Sequence, residues 1–370
     1  MKIKFLDFKR EYDLLGKDVD SAISSIVKGG GFILGSELKI FEDEFSSYCG
    51  VKYGVGVNSG TDALYLALLS LGIKEGDEVL VPAFTYIATA MAVSYTGAEP
   101  IFCDIDESDF CIDIEDAKKK ITKRTKAIIP VHLYGQPADM SKMLEFASKN
   151  NIKVVEDAAQ AHGSGIYRDK DLKRVGSFAD LGCFSFYPTK NLGCYGDGGI
   201  VVTDNETLYN KLLKLRDYGR ESKYSHTMLG YNSRLDTIQA AVLSIKLKYL
   251  DRWNDKRREL SYYYNEALKD VGGVITPIER EGLSHVYHVY VIRARERKKL
   301  IEFLSLKGIP SIIHYPIPCH LQKVYKSSLN FEGLAPVSEK LSYEVLSLPL
   351  NPFLRGEEID RIISGIKEFY

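Results

Sequence analysis

The stretch Ser185-Phe186-Tyr187-Pro188-Thr189-Lys190-Asn191-Leu192-Gly193-Cys194-Tyr195-Gly196-Asp197-Gly198-Gly199 sets one lysine where a short apolar run gives way to a polar, glycine-crowded turn. Lysines are seldom buried, so a loop lysine is ordinarily a solvated one. The chain around Lys190 argues otherwise. Short β-rich runs alternate with helical patterns, and strands are expected at 53–57, 78–81, 99–103, 127–132, 153–156, 183–186 and 200–203. Helices at 61–71, 87–95 and 140–149 lie between them. Such alternation predicts an α/β fold, with a mostly parallel seven-stranded sheet covered by helices on both faces.

Upstream, Val19, Ile23, Ile26 and Val27 recur at helix spacing before the break Gly29-Gly30-Gly31, and Leu38, Phe41, Phe45 and Tyr48 mark a second amphipathic helix. Downstream, residues 236–268 read as one long helix with Ile238, Val242, Ile245 and Tyr249 on a stripe and a charged middle at 251–259. That segment is expected to lead from a large domain, 1–250, into a small α+β domain, 251–370. The latter carries a strand-like run at 286–292 and helices at 296–307 and 357–369.

With 370 residues, 45% of them hydrophobic, the chain can bury a core without staples. Its 49 basic and 50 acidic residues are interspersed, which argues against a nucleic-acid binder. Six cysteines without a C-x-x-C and seven histidines without an H-E-x-x-H predict reduced thiols, no metal site and a cytoplasmic location. The amino-terminal stretch Met1–Asp7 turns polar too early for a signal-peptide core, and no apolar run has the length of a membrane span, so a soluble protein without membrane partners is expected.

Four places carry candidate chemistry. Asn58-Ser59-Gly60-Thr61 sits where a strand meets a helix, and a helix start offers free N–H groups and a positive dipole end to a phosphate. Taken alone it is equally an ordinary helix cap. Phe84-Thr85-Tyr86 follows a strand at the edge where an open α/β sheet places its ligand crevice. An aromatic ring there either stacks on a planar ligand or fills the core. Asp157, after the apolar run Val154-Val155, is a carboxylate at a strand end that needs a cation or donors if buried. A protonated ring nitrogen would serve, and so would a helix to cap. Finally, Lys190 becomes a carbonyl nucleophile if burial keeps its amine partly deprotonated. A phosphate cradle, an aromatic platform, an acid for a ring nitrogen and a nucleophilic lysine together describe a pyridoxal phosphate site.

On these motifs the chain resembles the DegT/DnrJ/EryC1 sugar aminotransferases, within the fold type I aspartate-aminotransferase superfamily. The resemblance runs from Phe5-Leu6-Asp7 through Gly35 to His314-Tyr315-Pro316. It implies that Lys190 carries the cofactor covalently, that Asp157 partners the pyridine nitrogen and that Gln160 touches the ring. Gly60, Thr61 and Ser185 resemble the phosphate ligands and Tyr86 the stacking aromatic. Asn232, in Gly230-Tyr231-Asn232-Ser233-Arg234-Leu235, resembles the residue that reaches the neighbouring subunit's cofactor phosphate. A homodimer with sites at the subunit interface is therefore implied, although Asn232 is by itself as well suited to a surface turn.

The run S-F-Y-P-T-K-N-L-G-x-Y-G-D-G-G is similar to the branch that aminates C3 of a nucleotide-linked keto sugar, whereas C4 enzymes often have histidine near the lysine. Tyr187 and Asn191 therefore point to a dTDP-linked 3-keto-6-deoxyhexose, with L-glutamate as amino donor. A UDP-linked 3-keto sugar or a 4-keto sugar is the alternative. His314 and Tyr315 are expected to contact sugar or diphosphate, or to form a plain interface pair. Arg220 and Arg234 are candidates to clamp the donor's carboxylate. Dehydratases of this fold carry histidine at the lysine position. A non-catalytic regulatory protein is the alternative from another class.

Overall fold

The computed structural model describes residues 3–325 and 333–370; Met1 and Lys2, which begin the polar amino-terminal stretch, lie outside them. Helix α1 (Phe8–Gly29) starts at Asp7, whose Oδ1 accepts from Arg10 N at 3.3 Å, and stops at Gly30 in the left-handed region. Val19 and Ile26 are buried, but Val27 is exposed. Eight positions beyond Val19 lie about 80° round a helix, off the core-facing stripe.

The central sheet comprises β1 (Tyr53–Val57), β2 (Glu78–Pro82), β3 (Glu99–Cys103), β4 (Thr125–Ile128), β5 (Lys153–Asp157) and, after the hairpin of β6 (Gly165–Arg168) and β7 (Asp171–Arg174), β8 (Leu181–Ser185) and β9 (Gly199–Thr203). Their order is β1-β9-β8-β5-β4-β2-β3, and β9 alone runs against the rest. The seven strands expected from the alternation are all present. Strand β4 stops at Ile128, short of the expected 127–132, because Pro130 has no N–H to continue the ladder. Only a single bridge, Val131 to Asp157, follows.

Alternation of side chains sorts the two faces. Val201 joins the core formed with α3 (Gly60–Ser70), α4 (Ala88–Tyr95) and α7 (Glu206–Leu215). Its neighbours Ile200 and Val202 pack instead with α2 (Ser36–Cys49) and α8 (Thr237–Leu247). Helices α5 (Ile114–Lys120) and α6 (Met140–Asn150) cover the β3 side of that second face.

The predicted helix at 236–268 is two helices, α8 and α9 (Leu250–Leu268), broken at Lys248-Tyr249 without glycine or proline. Packing explains the change of direction. Val242 of α8 lies against Leu15 and Val19 of α1, while Leu260, Tyr264 and Leu268 of α9 enter another core. The charged middle of α9 keeps Asp251, Arg252, Asp255 and Glu259 exposed but turns one charge inward. Arg257 is buried and donates to Leu350 O at 3.1 Å, and burial pushes its guanidinium down to about 10.

After the short ribbon β10 (Arg220–Ser222) and β11 (Ser225–His226), the C-terminal part forms a smaller α+β unit. It contains β12 (Val274–Ile275), β13 (Leu283–Ser284), β14 (Tyr290–Ala294), β15 (Val345–Leu348), and helices α10 (Arg297–Leu306), α11 (Pro336–Glu344) and α12 (Gly356–Phe369). Strands β12, β14 and β15 make an antiparallel sheet whose core holds Ile292, Leu300, Leu346 and Ile362. The run expected at 286–292 enters this sheet only at Tyr290. Before that, Val286 N and His288 N bond to Gly135 O and Tyr134 O, at 3.0 and 2.8 Å, and stitch the two parts of the chain together.

Candidate active site

Because every strand but β9 points the same way, the chain leaves β1, β2, β5 and β8 along one edge of the sheet, and β9 begins there. Polar residues that follow apolar runs in sequence are thereby brought together. They line a cavity of about 420 Å³ closed on its far side by His288, Val289, His314 and Tyr315. A larger depression of about 870 Å³ lies over β12 and β14, but its Arg293 is already paired with Glu107 and Glu344, and no acid, aromatic platform and nucleophile converge there.

Lys190 lies in the excursion between β8 and β9. Its backbone N donates to Tyr187 O at 2.9 Å, and Phe186 N and Cys194 N close the loop on Gly198 O and Phe186 O, both at 2.8 Å. Helix α8 holds the rest: Lys246 Nζ donates to Gly193 O at 2.7 Å, and Gln239 Oε1 accepts from Tyr195 N at 2.8 Å. Burial pushes the Lys190 amine down to about 8, with the field of Asp157 opposing. A lysine so placed is a proton donor and acceptor near neutral pH.

In the cofactor-free protein the burial of this ammonium destabilises the fold. The folded-state pKa lies below the unfolded value, so the full penalty is present below about pH 8 and disappears as pH rises to about 10.5, where the unfolded chain also loses the proton. Lys190→Met is therefore expected to melt higher than wild type at pH 7 without cofactor. Melting curves at pH 7 and pH 10.5 check this, since the gap should shrink at the higher pH.

Asp157 ends β5 and is 5% exposed. Its Oδ2 accepts from Thr89 Oγ1 at 2.8 Å and its Oδ1 from Ala159 N at 3.2 Å, yet desolvation still raises its pKa. A buried carboxylate with a raised pKa gains from a cation in the adjoining cavity, and a protonated pyridine nitrogen fits. Gln160 lies beside it, with Oε1 accepting from Tyr134 N at 2.9 Å and Nε2 donating to Tyr315 Oη at 2.8 Å.

Ser59 caps α3, its Oγ accepting from Asp62 N at 3.1 Å. Ser59, Gly60 and Thr61 face Ser185 across the cavity mouth. Here glycine is required by close approach: a Cβ on Gly60 would fall 2.5 Å from Ser185 Cβ, and one on Gly199 would fall 2.3 Å from Ser59 O. Gly199→Ala meets backbone with nowhere to yield. It is expected to cost about 1–3 kcal/mol and to weaken phosphate-dependent cofactor binding. Thermal melts and cofactor titration measure both.

Tyr86 and Tyr187 are about half exposed and line the cavity, whereas Phe84 is core. Tyr86 and Tyr315 have ring centroids 5.9 Å apart. His314 Nδ1 lies 2.8 Å from Ser347 Oγ, and burial pushes this imidazole down to about 4.

Other expected positions lie elsewhere. Asn191 is buried and turned from the cavity toward Asn254, Val286 and His288. Asn232 is exposed, with its Oδ1 accepting from Arg234 at 2.6 Å, and does not line this chain's own cavity. Arg220 and Arg234 are both paired with Asp217 and stay outside the cavity too. Two supporting residues were not anticipated. Thr89 looks like an ordinary residue of an alanine-rich helix, and Ser233, which bonds Asp62 and Asn58 N at 2.7 and 3.2 Å, comes from a distant loop.

Among the described residues no cluster of His, Cys, Asp or Glu suits a metal, and no helix is long and apolar enough to cross a membrane. Residues 14–367 match the DegT/DnrJ/EryC1/StrS aminotransferase family. The chain belongs to this family. The DegT/DnrJ/EryC1/StrS relatives include the dTDP-3-amino-3,4,6-trideoxy-alpha-D-glucose transaminase of Streptomyces venezuelae, 45% identical over 100% of this chain and 96% of its own. Another is the UDP-N-acetyl-3-dehydro-alpha-D-glucosamine 3-aminotransferase of Acidithiobacillus ferrooxidans, 44% identical over 99% and 97%. Among solved structures, S. venezuelae DesV in complex with a ketimine intermediate superposes with a TM-score of 0.96 at 44% identity, covering 100% of this chain and 98% of that one. NtdA of Bacillus subtilis, with bound cofactor PMP, gives 0.91 at 34% identity over 99% and 85%.

Proposed function

We propose that this aminotransferase uses pyridoxal 5'-phosphate to carry an amino group from L-glutamate to C3 of a dTDP-linked 3-keto-6-deoxyhexose. The observation that carries the chemistry is the presence in one cavity of an amine whose pKa burial lowers to about 8, Lys190, and a buried acid, Asp157. Full-length similarity to a dTDP-3-amino-sugar transaminase supports the substrate.

When bound, the cofactor supplies an electrophilic carbon and a ring that draws in electrons. Lys190 would hold it covalently through Nζ, and the same Nζ, when free, would carry a proton between carbons of the reacting pair. Asp157 keeps a proton on the ring nitrogen, with Thr89 and Ala159 N fixing the carboxylate. The start of α3 and Ser185 bind the phosphate. Tyr86 and Gln160 hold the ring in place, and Tyr187, His314 and Tyr315 face the sugar. In this reading two chains associate, and Asn232 of each reaches the other's phosphate.

The test offers dTDP-3-keto and dTDP-4-keto hexoses side by side with glutamate and locates the new amine by NMR. Amination at C4 alone would overturn the assignment of the carbon. A UDP-linked 3-keto sugar is a second reading, favoured by the A. ferrooxidans relative, and the same assay with UDP carriers discriminates the nucleotide.

A further inference from the structure

Three side chains behind Lys190, those of Asn254, Asn191 and His288, form a chain of hydrogen bonds anchored on backbone carbonyls, and the anchors decide every orientation along it. His162 O can only accept, so the Asn254 group 2.8 Å from it is Nδ2 and Asn254 presents Oδ1 to Asn191. Asn191 must therefore offer Nδ2 there, at 2.9 Å, an assignment required again by Val286 O at 3.1 Å. Its Oδ1 is then left facing His288 Nδ1 at 3.0 Å. An amide oxygen cannot donate, so Nδ1 of His288 carries the proton.

The other histidines near the site are not placed in this way. His132 receives Ala138 N at Nδ1 and spends Nε2 on Glu156. His314 meets a hydroxyl that can donate or accept, so its tautomer stays undetermined. His162 is enclosed by Phe45, Phe184 and Phe186.

We propose that His288 is a positioning residue for Lys190: a neutral imidazole whose Nε2 lone pair accepts a hydrogen bond from the Lys190 amine whenever that amine is free and protonated. Both residues line the cavity, and one side chain, Asn191, binds His288 while adjoining Lys190 in sequence. Burial holds the imidazole far below its ordinary pKa, and the positive charges of Lys190 and Arg257 push the same way, while its neighbours His314 and His162 are themselves held low by burial, so it stays neutral. Asp157, the cavity's other strong acceptor, already serves Thr89 and Ala159 N and is needed for the ring nitrogen. His288 Nε2 remains for the ammonium.

The tautomer follows from the hydrogen bonds alone, while the role rests on the aminotransferase reading, and the experiment separates the two. Long-range proton–nitrogen NMR of histidine-labelled, cofactor-free protein should show His288 with a protonated Nδ1 and a bare Nε2, the latter shifting in Lys190→Met. The opposite tautomer, or no response to Lys190→Met, overturns the proposal.

His288→Asn keeps a donor at the Nδ1 position for Asn191 but has no atom at Nε2, whereas His288→Gln places an amide oxygen at that depth. His288→Asn should slow the glutamate half-reaction roughly tenfold to a hundredfold, as for loss of one hydrogen bond to a charged group, with the KM for glutamate little changed. His288→Gln should recover most of the rate. Equal rates for His288→Asn and wild type, or no recovery with Gln, also overturn it. A wild-type enzyme inert toward glutamate would instead sink the aminotransferase reading, and the NMR result would still decide the tautomer.

Discussion

Lys190→Ala is expected to lose turnover by roughly 10⁴-fold or more, because in the proposed mechanism one side chain serves both as covalent anchor and as proton carrier. Alanine offers neither an attacking amine nor a base, and no second lysine lines the cavity. Lys190→Arg should fare no better, since a guanidinium stays protonated and cannot return a proton. The variant should keep the fold, because the loop is held by Phe186, Gly198, Gln239 and Lys246 rather than by the Lys190 side chain. Rapid mixing with glutamate, followed by the cofactor's visible absorption, reads the half-reaction directly. A variant that reacted at the wild-type rate would remove Lys190 from the mechanism.

Asp157→Asn comes next in size, with an expected loss of roughly 10² to 10³ in the same half-reaction, the range for deleting one preorganised electrostatic partner in a dry site. The amide keeps the shape and can still meet Ala159 N, but it carries no charge to favour a proton on the ring nitrogen. The cofactor-free variant should be no less stable than wild type, because burial of the carboxylate raises its pKa and marks the charge as a cost. Asp157→Asn with undiminished rate, cofactor bound, would show that the ring proton does not depend on this acid. Thr89→Val, which removes one of the two bonds fixing the carboxylate, should show a smaller loss.

The sheet was legible because its strands are short apolar runs closed by turn residues, and the unbroken run Ile200-Val201-Val202 reads as a strand buried on both faces. The cavity's floor was legible for a related reason. A charge at the end of a buried strand, as at Asp157, or in the short loop that follows one, as at Lys190, has few places to go except the edge where strands end.

What stayed hidden depends on contacts across long separations. Thr89 meets Asp157 from 68 residues away, and its surroundings in α4 give no sign of it. Asn191 was misleading because nearness to Lys190 in sequence suggested nearness to the substrate, while the loop turns its amide toward α9 and Val286. His288 sits inside an apolar run that looks like the interior of a strand, and only the bond of its N–H to Tyr134 O shows that the run has not yet joined a sheet. The break between α8 and α9 carries no breaker residue at all; different packing partners impose it.

The reversed strand β9 has a consequence for how the chain matures. Within the sheet it lies between β1 and β8, pairing with both, and its first residue, Gly199, both packs against Ser59 and terminates the lysine loop. A chain whose β9 has not yet inserted lacks the proposed phosphate turn and the proposed nucleophile together. Uptake of cofactor therefore reports that the last central strand is seated, and the bound cofactor draws the folding equilibrium toward that finished state. The visible absorption expected of the loaded protein would double as an assay of assembly, one that partly folded chains should fail.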